Sequence, residues 1–275
     1  MELRVLALAA PQYPRGAVHE RVLNSRDPAS LYNACRLAAA RAESGLGPWG
    51  ESNWADGRQA RRDTVLLLET AEHGLSRLQE VLLNLRPNLV LIGSMTICFP
   101  GAIACARLVR ETLGDTVCIV LGGRHVSETI YANRGEIHHH AASPLKLIQQ
   151  SLIPNLFDFI AAGDGEGLIA EIGEIIGRSR DIKSAVRKIR MGKAISAASG
   201  QWILGWADNG RIETISGTGA ALDYNKLPAP CEMFGVSSSF EVFEGRPTAH
   251  VFSDIGPGCV YSCSFCSEAA RVAGK

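Results

Sequence analysis

Near-continuous apolar runs recur along the first two-thirds of the chain, at 3–9, 65–69, 89–93, 117–122 and 157–162. Strands with one wet face alternate apolar and polar residues, whereas strands buried on both faces do not, as in a parallel sheet. Helical stripes separate the runs. Leu75, Leu78, Leu82 and Leu85 share one helical face, and Pro87 stops that helix before the next run. Ala102, Ala106, Val109 and Leu113 form a second stripe closed by Gly114, and Leu168, Ile169, Ile172, Ile175 and Ile176 a third closed by Gly177. The run at 65–69 also suits a long helix, but its place before a helix favours a strand. Strand and helix in alternation give an α/β fold, a doubly wound parallel sheet of five strands.

Ligands of such sheets bind beyond the carboxyl ends of the strands. Those ends carry Pro11, Gln12 and Tyr13 after the first run and Ser94, Met95 and Thr96 after the third. Gly122, Gly123, Arg124 and His125 follow the fourth, and Gly163, Asp164, Gly165 and Glu166 the fifth. Glycines there let a ligand approach the backbone, and tight βα turns need them too.

Other segments are less regular. Residues 45–57 suggest a long loop of the kind that forms lids, and His138, His139 and His140 suggest a solvated segment. Residues 178–193 are basic and helical in composition. Two strand-like runs flank Asn209-Gly210, a hairpin turn, and Leu227-Pro228-Ala229-Pro230 then forms a stiff linker. The expected division is 1–177, 178–245 and 246–275.

Lys plus Arg and Asp plus Glu each number 28, so net charge gives no reason to invoke nucleic acid or an anionic membrane surface. No apolar run approaches the ~20 residues of a membrane span, and the N-terminus lacks the long apolar region of a signal peptide. A cytoplasmic protein is expected. In a reducing compartment the eight cysteines are not a disulfide framework. Cys35, Cys98, Cys105, Cys118 and Cys231 sit among apolar residues as small hydrophobes.

Cys259, Cys263 and Cys266 are different. They follow a strand-like stretch at 248–254 and the turn Gly256-Pro257-Gly258, in a Cys-x-x-x-Cys-x-x-Cys loop. Structural zinc normally takes four ligands in two pairs, and here only Cys231 or a histidine such as His250 could complete the set. An iron–sulfur cluster on three cysteines leaves one iron open to a substrate or cofactor. The cluster is favoured; zinc and a purely structural role stay open.

The loop, with Phe265 before its third cysteine, resembles the CxxxCxΦC motif of the radical S-adenosylmethionine (SAM) enzymes. The preceding segments are similar to the Rossmann-like cobalamin-binding domain that precedes the radical domain in one subclass. The matches are residues 88–94, the Gly-Gly-x-His turn at Gly122–His125, and the turn at Gly163–Glu166, with 222–230 resembling the family's linker. The resemblance implies a [4Fe–4S] cluster on Cys259, Cys263 and Cys266 that binds SAM, with Phe265 near the adenine. It implies cobalamin over Pro11, Gln12, Ser94, Met95, Thr96, Gly122, Gly123, Arg124, His125, Gly163, Asp164, Gly165 and Glu166. It also implies methyl transfer from methylcobalamin to a small-molecule or peptide substrate, and a flavodoxin- or ferredoxin-like reducing partner. No Asp-x-His-x-x-Gly follows the first strand, so no histidine is offered as the cobalt's lower ligand.

A full (β/α)₈ barrel takes about 250 residues, and the sequence stops at Lys275, nine residues after Cys266. The expectation is a fragment holding the first barrel strand and the cluster loop, inactive alone. The alternatives are a stand-alone cobalamin- or nucleotide-binding module and a radical SAM protein that does not use cobalamin.

Overall fold

The computed structural model describes residues 1–11, 74–195, 198–220, 240–243 and 246–249. The chain divides into two units, Met1–Val236 and Ser237–Lys275.

The first unit is α/β, built on a mostly parallel sheet. Its strands are β1 (Val5–Ala9), β2 (Leu89–Gly93), β3 (Cys118–Gly122), β6 (Phe159–Gly163), β7 (Gln201–Asp208) and β8 (Arg211–Thr218), in the order β1-β2-β3-β6-β7-β8. The first four are parallel, and β7 and β8 are antiparallel. A separate small ribbon pairs β4 (Ile130–Asn133) with β5 (Glu136–His139).

The apolar runs are continuous because both faces of each parallel strand are covered. Val5, Leu89, Leu91, Cys118, Val120 and Phe159 enter one core, while Leu6, Leu8, Val90, Ile92, Ile119, Leu121 and Ile160 enter the other. Helices α1 (Gly74–Leu85), α2 (Phe99–Leu113), α3 (Arg124–Thr129) and α4 (Pro144–Gln149) supply Leu78, Leu82, Ala102, Val109, Val126 and Leu145 to the second core. Helices α5 (Gly165–Gly177) and α6 (Ile182–Arg190) supply Leu168, Ile172, Ile176, Ile182 and Ile189 to the first. The three expected helical stripes are therefore the buried faces of α1, α2 and α5. Four of their residues differ: Leu75 is exposed, and Leu85, Leu113 and Ile175 are only partly buried.

Register at the start of the sheet is pinned by an amide. Asn88 accepts from the Arg4 backbone at 2.8 Å and donates to the Glu2 carbonyl at 2.6 Å. On the neighbouring strands, Asp158 accepts from the Ile119 backbone at 2.8 Å and from the Arg110 guanidinium at 2.5 Å. These links close polar groups that the apolar strands leave at their entry.

Two features depart from the sequence expectation. The hairpin at Asn209-Gly210, assigned to a connecting segment at 178–245, continues the sheet: β7 pairs with β6 and buries Trp202, Leu204 and Trp206. Six strands, not five, make the described sheet, and the run at 65–69 lies outside the described residues. Where a solvated segment is expected, His138 and His139 lie half-buried in β5; Arg134 and Gly135, both at positive φ, make its tight turn. Successive strand residues point to opposite faces, so the histidines diverge.

In the second unit β9 (Phe240–Phe243) pairs antiparallel with β10 (Arg246–Ala249). The strand expected at 248–254 thus begins in a hairpin, and its remainder lies outside the described residues. Among the described residues no helix is long and apolar enough to cross a membrane.

Candidate functional site

The carboxyl ends of β1, β2, β3 and β6 lie side by side, as parallel pairing requires. The backbone of Ala10 donates to Gly93, and that of Ser94 to Gly122, at 2.8 and 3.0 Å. His125 donates its backbone N–H to the Ser94 carbonyl at 2.9 Å. These bonds draw Ser94, Thr96, Gly122, Gly123 and His125 into one cluster. Gly123 has φ +92, and a Cβ there would sit 2.5 Å from the Ser94 nitrogen, so this turn demands glycine for its own closure. Gly122 is different: its nearest neighbour for a Cβ is the Ala161 oxygen at 3.6 Å, ordinary contact.

His125 is the most unusual side chain of the cluster. It is 3% exposed and stacks on Phe99, with ring centroids 4.4 Å apart. Its Nδ1 lies 3.3 Å from Oγ1 of exposed Thr96, a hydrogen bond whose donor depends on the tautomer. Its Nε2 is buried and has no hydrogen-bond partner. Burial pushes the imidazole below its ordinary pKa of 6.5, and Glu128 opposes that shift. The ring is therefore held neutral at pH 7, with one nitrogen unsatisfied.

The other expected contacts distribute unevenly. Ser94 is buried, and its hydroxyl donates to the Met95 carbonyl at 2.9 Å. Met95 packs partly against the core. Arg124 faces outward and pairs with Glu128 at 2.8 Å. Half-buried Pro11 places its carbonyl where a side chain at Gly101 would stand.

The turn after β6 is occupied by the chain itself. Gly163 has φ +83, and a Cβ there would overlap the Gln201 carbonyl oxygen. Asp164 donates its backbone N–H to Gln201 and accepts from the Gln201 backbone, both at 2.8 Å. A Cβ on Gly167 would overlap Ser199. The glycines of this turn serve the approach of β7. Gly165 leaves ordinary space beside Ile169, and Glu166 is buried in the first turn of α5. Through Ser127, whose hydroxyl accepts from the Gly163 backbone at 3.1 Å, the β6 end is tied to α3.

Gln12, Phe265, Cys259, Cys263 and Cys266 lie outside the described residues, as do Cys35, Cys231 and the segment 45–57. Among the described residues no group of three or more His, Cys, Asp or Glu could hold a metal ion. Cys98, Cys105 and Cys118 are fully buried, in keeping with small core hydrophobes. Burial pushes the Cys105 thiol up to about 12 and Cys118 well above its ordinary range, so both stay protonated.

The sequence pointed to His125 through its turn but gave no sign of the orphaned Nε2. That atom depends on the long-range approach of Thr96 and Phe99. Comparison with family models, with curated proteins and with solved structures gave no match.

Proposed function

We propose that this chain belongs to the cobalamin-dependent radical SAM methyltransferases. Cobalamin would be held at the carboxyl ends of β1, β2 and β3, and a [4Fe–4S] cluster by Cys259, Cys263 and Cys266. The observation that carries the corrin site is the buried, unpartnered Nε2 of neutral His125. An unsatisfied buried nitrogen costs roughly 1–3 kcal/mol, and a polar group of a ligand entering beside it would remove that penalty.

The residues present fit such a ligand. Gly122 leaves side-chain space at the strand end, Thr96 offers an exposed hydroxyl, and His125 a fixed imidazole edge. Ligands of open α/β sheets bind in a crevice beyond the carboxyl ends of the parallel strands. Ser94 and Pro11 would line its walls, with Arg124 at the rim.

For the cluster, the donor set supports the reading: three thiols within eight residues, and no second cysteine pair to close a zinc site. When bound, the two cofactors would supply a SAM-derived radical and a transferable methyl group. The chain's own residues have the simpler task of holding them, through thiolates at the loop and neutral polar groups at the strand ends. Phe265 would pack against the adenine of SAM.

The test is anaerobic reconstitution of the full chain with iron, sulfide and hydroxocobalamin, then desalting, metal analysis and an absorption spectrum. The expected product holds one corrin and about four irons per chain. Replacement of Cys259, Cys263 and Cys266 by alanine should remove the iron and leave the corrin. Zinc without corrin would overturn the proposal. Corrin without iron would leave a binding module.

A further inference from the structure

A second candidate site lies at the opposite end of the sheet. A cavity of about 520 Å³ opens among Arg110, Asp158, Ile182, Lys183, Arg187 and Arg190, with Asp115, Val186 and Met191 also on its wall. Asp115 precedes β3 and Asp158 precedes β6, so the cavity sits at the amino ends of these strands. Its size suits a small molecule.

The charges on its wall do not balance. Four cations face two carboxylates. Arg110 spends four of its five N–H donors within the protein: it donates to the carbonyls of Leu156, Gly114 and Val117 at 3.0–3.1 Å and to Asp158 at 2.5 Å. Lys183 pairs with Asp115 at 3.6 Å. Both carboxylates are thus used, and Arg187 and Arg190 have no acidic partner among the described residues. The Arg190 guanidinium lies 5.6 Å from the centre of the Trp206 ring, and its Nε is buried without a hydrogen-bond partner.

Helix geometry explains why the two arginines reach one place. Ile182, Ala185 and Ile189 bury one face of α6, and Lys183, Val186, Arg187 and Arg190 follow at helical spacing along the cavity side. Guanidinium forks bind phosphate oxygens in pairs. Ile182, Val186 and Met191 add an apolar wall for the remainder of a ligand.

We infer that this cavity binds a small organic phosphate, held by Arg187 and Arg190 against the apolar side of α6. The rival explanation is that these cations only complement the carboxyl-terminal dipole of their helix. Lys188 separates the two. It stands in the same last turn but does not line the cavity, and its ammonium donates to Ser179 at 3.4 Å.

The experiment is equilibrium titration of the full chain with phenyl phosphate, without hydroxocobalamin, read by ligand NMR. Saturation at one site is expected, with competition by inorganic phosphate and none by benzyl alcohol. Arg187→Gln with Arg190→Gln should weaken binding by at least about tenfold, and Lys188→Gln by less than about twofold. If the double variant does not fold, saturation and competition in the wild-type chain decide. Absence of saturable binding, or equal binding of benzyl alcohol, would overturn the inference. So would equal loss in Lys188→Gln, or displacement by a single-stranded oligonucleotide with equal dependence on Lys188, since either marks a diffuse basic face. The corrin proposal concerns the other end of these strands and stands or falls separately.

Discussion

The turns after β3 and β6 carry the same kind of sequence, glycines beside polar side chains, yet the structure fills them differently. After β6 the chain occupies its own turn: Gln201 and Ser199 press on Gly163 and Gly167, and Asp164 is bonded to the Gln201 backbone. After β3 one glycine is likewise closed by Ser94, but Gly122 keeps side-chain space and His125 keeps an unpartnered nitrogen. A glycine-rich strand end therefore marks close backbone approach, and the unsatisfied nitrogen beside Gly122 is what leads us to propose a ligand there and not after β6.

Alanine substitutions sharpen this contrast most. Gly163→Ala forces a side chain into φ +83 and onto the Gln201 carbonyl, and should cost about 2–4 kcal/mol in urea unfolding. Gly122→Ala meets only ordinary contact at 3.6 Å and should cost less than about 1 kcal/mol. Corrin retention should respond in the reverse order, falling about tenfold in Gly122→Ala. Equal stability losses would break the distinction between the two turns.

His125→Phe comes next. The substituted ring keeps the stack on Phe99 and removes the orphaned nitrogen. Unliganded stability should hold or rise by about 1 kcal/mol, while hydroxocobalamin affinity falls about tenfold. A large loss of stability would mean that Nε2 has a structural partner.

A smaller effect is the pH dependence. Burial lowers the His125 pKa in the folded state, so below 6.5 the unfolded chain takes up a proton that the folded chain refuses. Stability should be level above 6.5 and fall as pH drops from there through the folded value. His139 shifts the same way, through burial and then the charges of Lys146 and His138. His125→Phe should remove part of this slope and Gly122→Ala none of it, as measured by urea midpoints between pH 5 and pH 8.

The smallest effect lies at α6. Asp181 caps that helix by accepting from the Ser184 backbone at 2.7 Å, and this bond, helped by the Ser184 side chain and Arg180, holds its carboxyl at about 2. The contribution is present above 3.8 and lost as pH falls through about 2. Asp181→Asn keeps a capping oxygen and should flatten only this acid limb, distinguishing it from the histidine slope.

Much of the sheet was legible because burial on both faces leaves a plain trace, continuous apolar runs such as 89–93. The helical stripes were legible through a different trace, apolar residues that recur at helical spacing on the buried face. The place of the hairpin was not: Trp202 and Leu204 announce a strand, but nothing local says that β6 is its partner. The same long-range pairing hid the role of Gly163 and Gly167, whose close neighbours come much later in the chain. The basic character of 178–193 was visible, whereas the ion pairs that satisfy Lys183 and omit Arg187 depend on Asp115, an acid far upstream. His125 was found by its turn, and its chemistry only by packing.

The corrin site proposed at the ends of β1, β2 and β3 is open to equilibrium dialysis of hydroxocobalamin against the full chain, with the Gly122→Ala, His125→Phe double variant alongside. The account predicts one corrin per wild-type chain, unchanged when the three clustered cysteines become alanine, and loss of binding in a double variant that remains folded. No corrin on the wild-type chain, or equal binding by the folded double variant, would contradict it.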